Sequence, residues 1–159
     1  MFADPLTERL AAFVRDSGLP LRAAALPADT LLPGLDIRDG AIVVDEARLA
    51  HPGDILHEAG HLAVTDPAER SVPRLSPSAG DEMASIAWSY AALRHLGLDP
   101  AIVFHPDGYK GGSAAIIENF GAGLYFGVPL LQLYAMSYEP RRAAEKGVPP
   151  FPHMLRWVR

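Results

Sequence analysis

Two histidines with three residues between them, and a glutamate directly after the first, carry the chemistry of this chain: His57-Glu58-Ala59-Gly60-His61. On a helix, positions i and i+4 project from one face about a turn apart, so both imidazoles can converge on one Zn²⁺. Glu58 then lies beside the ion rather than on it. There it can take a proton from activated water and deliver it to a leaving amine. A catalytic zinc needs a third protein ligand and a position left for water. After His61 come Leu62-Ala63-Val64-Thr65-Asp66-Pro67, so no H-E-x-x-H-x-x-G-x-x-H extension supplies a third histidine. An acid from the following helix is the alternative, and Asp81-Glu82 heads that helix. Glu82 is preferred because its longer arm spans an interhelical gap of about 8–10 Å. Asp81 is the rival, with helix N-capping or acceptance from a ligand histidine as its other possible tasks.

A hydrolytic site of this kind also benefits from a donor near the developing oxyanion. His105 and Tyr109, in the turn-rich run His105-Pro106-Asp107-Gly108-Tyr109-Lys110-Gly111-Gly112, suit that role by chemistry. The competing reading makes them a solvated helix end and a surface turn residue. Gly111-Gly112 could hinge a lid. His51 is too far from His57 in sequence to share its helical face, and His95 suits the end of the next helix, where a cation complements the dipole. Glu118, alone among apolar neighbours, reads as a carboxylate at the core edge paired with an arginine. His153 lies in a Pro-rich tail, and Arg141-Arg142 is a short solvated pair.

The elements that must position these groups follow from pattern. Leu6, Leu10, Ala11, Phe13 and Val14 line one face of a helix over 5–17, with Asp4 as N-cap and Gly18 as stop. An edge strand is expected within 21–26. Leu35 to Arg38 and Ala41 to Asp45, joined by Asp39-Gly40, form the clearest hairpin. Asp54 is expected to cap the motif helix over 55–64. A loop over 65–80 then leads to a helix over 81–96 that ends at Gly97. A short helix after Asp99-Pro100 precedes the turn-rich run. Residues 113–138 read as two helical pieces broken near Gly127-Val128-Pro129, and 139–159 as a mobile or surface-wrapping tail.

Composition narrows the class. A chain of 159 residues fits one domain over 1–159, and at this size about two-thirds of the unfolded surface can be buried. Absence of cysteine excludes disulfide scaffolds, Cys-ligated zinc and iron–sulfur centres. Fourteen basic against nineteen acidic residues, with no basic block, argues against nucleic-acid binding. No basic-then-apolar leader opens the chain, and the apolar stretch 114–136 contains Glu118, Pro129 and several glycines, which disfavours a membrane span. That stretch is expected inside the protein, over the site or at a homodimer face. A cytoplasmic location is the expectation.

The order of hairpin, H-E-x-x-H helix, loop and acid-headed helix resembles the compact gluzincin metallopeptidases of the ImmA/IrrE type. Their Gly-led strand running to H-E-x-G-H is similar to Gly40-Ala41-Ile42-Val43-Val44-Asp45 followed by His57 to His61. Their E-x-x-A-x-x-F-A pattern is met by Glu82, with Ser85, Trp88 and Ser89 at the other places, whereas Leu93-Arg94-His95-Leu96 stands where L-L-M-P closes the family's run. The resemblance spans roughly residues 35–95. It implies an α+β, mostly helical, minimal zincin-like domain with a small hairpin or sheet packed on the motif helix. It further implies Zn²⁺ held by His57, His61 and Glu82, with Glu58 as general base. The expected function is a zinc-dependent hydrolase acting on a peptide or protein. The alternative is a catalytically inactive metal-binding module that serves as a sensor or partner-binding domain.

Overall fold

A computed structural model describes residues 1–159 as a mostly helical α+β protein with one small sheet. Helix α1 (Pro5–Asp16) starts where Asp4 accepts the Thr7 backbone N–H at 2.7 Å, and it buries Leu10, Ala11, Phe13 and Val14 as the periodicity requires. Strand β1 (Leu21–Ala23) runs parallel to β3 (Ala41–Val44), and β2 (Leu35–Arg38) lies antiparallel on the other side of β3. The turn between β2 and β3 is Asp39-Gly40, both at positive φ, which gives a tight hairpin its matching twist. Its register pairs Leu35 with Val44 and Ile37 with Ile42, so four apolar side chains point together into the core.

The motif helix α2 (Asp54–Val64) packs under this sheet and is buried nearly all round; His57 and Glu58 alone are partly uncovered. Beside it runs α3 (Ala79–Leu96), buried on all sides from Ala84 to Leu93, with Ser85 and Ser89 against α2. Small residues let the two backbones approach closely. A Cβ at Gly60 would sit 2.5 Å from Ser85 Oγ and 2.9 Å from its carbonyl, so the inner glycine of the motif is required by packing. Ser85 Oγ donates to the His57 carbonyl and Ser89 Oγ to the Leu56 carbonyl, each at 3.1 Å. Glu82 is thereby carried up to the histidine face.

At its N-terminus α2 is capped by Gly53, not by Asp54 as the sequence suggests. A Cβ at position 53 would fall 1.8 Å from the Ile102 carbonyl oxygen, because the 3-10 turn Pro100–Ile102 lies directly against it. That contact leaves no room for a capping side chain there, and Asp54 turns to another partner. At the far end, Arg70 donates to the Leu62 and Thr65 carbonyls at 3.1 Å, and the Arg159 N–H reaches Ala63 O at 3.0 Å, so helix-end carbonyls are satisfied.

The remaining elements are a second 3-10 turn at Tyr109–Gly111, α4 (Ser113–Gly121), α5 (Val128–Leu133) and α6 (Pro140–Lys146). The break between α4 and α5 covers 122–127, just ahead of the expected place, since Val128 and Pro129 already open α5; the segment is not wholly interior. Ile116, Phe120, Val128 and Leu131 are buried, whereas Leu124 and Leu133 are exposed. Glu118 is exposed as well and forms no ion pair, because it sits on the outer face of an amphipathic α4. After α6 the chain wraps back over the core: Phe151 and Met154 are buried, and the Trp157 carbonyl accepts from Trp88 Nε1 at 2.8 Å. No helix is long and apolar enough to cross a membrane.

Candidate metal centre

His57 and His61 lie one turn apart on α2, with their Nε2 atoms 3.1 Å from each other. Glu82, in the first turns of α3, brings Oε2 to 3.0 Å from His61 Nε2 and Oε1 to 4.0 Å from His57 Nε2. Ligands at about 2.0–2.1 Å around a tetrahedral zinc stand roughly 3.3 Å apart, so this donor set has the dimensions of a metal site. Together the three form one of two groups in the chain able to hold an ion.

Why Glu82 and not Asp81 joins the histidines is settled by the start of α3. Ser78 is the N-cap, and Asp81 closes a capping box by accepting the Ser78 N–H at 2.9 Å while Ser78 Oγ accepts the Asp81 N–H at 3.1 Å. Asp81 is thereby occupied with the helix end, and Glu82, the next residue, faces α2.

Protonation in the cluster follows from burial and neighbouring charge. Burial, aided by the nearby His61, lowers the pKa of His57 to about 4, which keeps its imidazole neutral and able to ligate. Burial opposes charge on His61 too, but the hydrogen bond to Glu82 and the charge of Glu58 outweigh it and raise its pKa. Glu82 is held below its ordinary value by the same hydrogen bond from His61. A dication at this point would compete with protons for the same ligand atoms. Glu58 makes no part of this ligand set. Burial, with further pressure from Asp54, Asp36 and Glu82 against the pull of His61, lifts its carboxyl to about 7. A carboxyl with that pKa can both take and release a proton near neutrality.

Tyr109 reaches the centre with its hydroxyl oxygen against the His57 ring. Its hydroxyl lies 3.0 Å from His57 Nδ1. When His57 ligates through Nε2, Nδ1 carries the hydrogen, so the imidazole donates and the phenol oxygen accepts. The turn that delivers this ring holds Tyr109 at φ +54° and Lys110 at φ +53°, a left-handed conformation that non-glycine residues avoid. His105 is not a member of the ligand group. Its ring is buried and its Nε2 is hydrogen-bonded to Asp54 Oδ1 at 2.8 Å.

Sequence reading missed the Asp54–His105 pair, the Ser85 and Ser89 bonds to α2 carbonyls and the Tyr109 contact with a ligand ring. The small residues at 84, 85 and 89 were the available signal for close helix packing; the other two join distant segments and have no signature in spacing. Compared with known proteins, the chain matches no family model, no curated protein and no solved structure. The likeness to compact gluzincins therefore rests on the residues themselves.

Proposed function

We propose that the protein is a zinc-dependent hydrolase, acting on peptides or proteins, with Glu58 as its general base. The observation that carries this reading is the convergence of His57 Nε2, His61 Nε2 and Glu82 on one point, at separations of 3.0 to 4.0 Å, with an uncommitted motif glutamate beside it. Zinc bound there would supply a Lewis acid that polarises a carbonyl and acidifies water. His57 and His61 would hold it as neutral imidazoles and Glu82 as the anionic third ligand. Glu58 would accept the proton of the attacking water at its carboxylate and return it to the departing amine. Burial, which lifts this carboxyl to about 7 in the metal-free chain, would favour return of the proton, and the charge of a bound ion would favour the carboxylate that accepts it. Tyr109 would fix the orientation of His57, and its hydroxyl proton remains available for a second partner at the site. A cytoplasmic location belongs to the same reading.

The test is Glu58→Gln, which keeps shape and hydrogen bonding but removes the base. Zinc content should stay at its wild-type level while hydrolysis of an unstructured peptide mixture falls by about 10²–10⁴-fold. Hydrolysis that survives the substitution at full rate would sink the mechanism. Equal inactivity of wild type and variant, both with zinc bound, would favour the non-catalytic metal module.

A further inference from the structure

A second gathering of ligand-type side chains lies outside the group already described. His51, His105 and Asp107 each bring a nitrogen or carboxylate oxygen within 4.8 Å of one another. They come from the connector ahead of α2 and from the turn that follows the 3-10 segment at 100–102. His105 is 7% exposed, and the His51 ring stacks on it with centroids 3.7 Å apart and planes 13° from parallel. His51 Nε2 lies 3.1 Å from Asp107 Oδ2. On the loop side a Cβ at Gly108 would press to 3.2 Å from the His105 ring, so glycine there makes room for the imidazole.

The decisive atom is His105 Nδ1. It is buried without a hydrogen-bond partner, and only one other side-chain atom in the protein shares that condition: His61 Nδ1, in the first group. With Nε2–H given to the Asp54 carboxylate, the lone pair of His105 resides on Nδ1. Buried polar atoms in proteins are almost always satisfied, so an orphan of this kind asks for an occupant. A carboxylate holding one ring nitrogen while the other stays free is also the usual arrangement around a metal-ligating histidine.

We propose that His51, His105 and Asp107 form a second site for a divalent transition-metal ion, with Asp54 orienting His105 for it. Two imidazoles and one carboxylate suit Zn²⁺, Co²⁺ or Ni²⁺ rather than Mg²⁺ or Ca²⁺. Stacked rings direct their lone pairs along near-parallel planes, so one ring must turn to share an ion. His105 is clamped by Asp54; His51, whose side chain is 34% exposed, is the ring that moves. The site is therefore weaker than the one at His57, where both Nε2 atoms already converge. It stands independently of the hydrolase reading.

The metal-stripped full chain is titrated with Zn²⁺ by calorimetry and with Co²⁺ by visible absorption. Two equivalents are expected, the weaker one lost in both His51→Ala and Asp107→Asn while the tighter one remains. Asp54→Asn should weaken the second step about 10–100-fold. The double variant His57→Ala/His61→Ala should lose the tight equivalent and keep the weak one, so the failure of either site is seen separately. In the unmodified chain, the ring nitrogen resonances of His51 and His105 should shift only during the second equivalent, a readout that depends on no variant. The proposal is overturned by uptake of a single equivalent that His57→Ala/His61→Ala abolishes, by a weaker equivalent indifferent to both His51→Ala and Asp107→Asn, or by His51 and His105 ring resonances that stay put to saturation.

Discussion

The His57 ring is held from two sides, by converging donors at Nε2 and by the Tyr109 hydroxyl at Nδ1. Tyr109→Phe removes only the second contact and keeps the ring that packs at 5.1 Å from Phe104. Zinc affinity should fall about 10–100-fold in a competition titration, with the thermal midpoint of the metal-free chain changed little. Glu58 offers a pH signature in that same metal-free chain. Its folded pKa of about 7 exceeds the ordinary 4.5, so its contribution to stability is full below 4.5 and is lost as pH rises through 7. His57 runs the other way, since its lowered pKa penalises the fold as pH drops below 6.5 toward 4. The difference between wild type and Glu58→Gln isolates the first effect. Wild type should lose stability relative to the variant between pH 4.5 and 7 in urea melts. A difference that stays flat or grows would contradict the burial of that carboxyl.

Among elements, the α2–α3 pair decides whether the site exists. Gly60→Ala would drive a methyl group into Ser85 Oγ and the Ser85 carbonyl. The backbone cannot yield as a flexible side chain would, and overpacking of this kind costs about 1–3 kcal/mol. Two outcomes are expected together: a lower thermal midpoint and weaker zinc binding, because α3 retreats with Glu82. The motif was legible because two of its ligands share one helix, and helical spacing is a local property. The hairpin was legible for a similar reason, since Asp39-Gly40 dictates its turn. Asp54 is a good N-cap by type, but the close approach of Ile102 to Gly53 sets the cap of α2 through a contact invisible in spacing. Tyr109 could be nominated by chemistry alone. Its actual partner depends on a left-handed turn that residue preferences argue against.

For the whole molecule, the segment after α6 closes the structure over Trp88. Phe13, Trp88 and Trp157 form an aromatic cluster with ring centroids 5.0 to 6.1 Å apart, and the main chain at 157 satisfies the buried indole N–H of Trp88. Removal of residues 155–159 should leave that N–H unpaired, at about 1–3 kcal/mol, and expose Trp88 to water. Trp88 is then the only tryptophan left, and a red-shifted emission with a lower unfolding midpoint is the expected result; emission typical of a buried indole would mean that Trp88 stays covered without this segment. Composition places the apolar run 114–136 in the interior, but apolar residues also make up much of any protein's surface. Its two short helices each turn one side inward and leave Leu124 and Leu133 outside.

The serine bonds from α3 to the Leu56 and His57 carbonyls have a mechanical consequence. They fasten the main chain of one ligand to the helix that carries another, so the distance between His57 and Glu82 is set by backbone rather than by side-chain choice. Release of an ion held at this centre would then be coupled to helix separation. Exchange with solvent metal would carry the steep temperature dependence of a local unfolding step instead of the shallow one of ligand hopping.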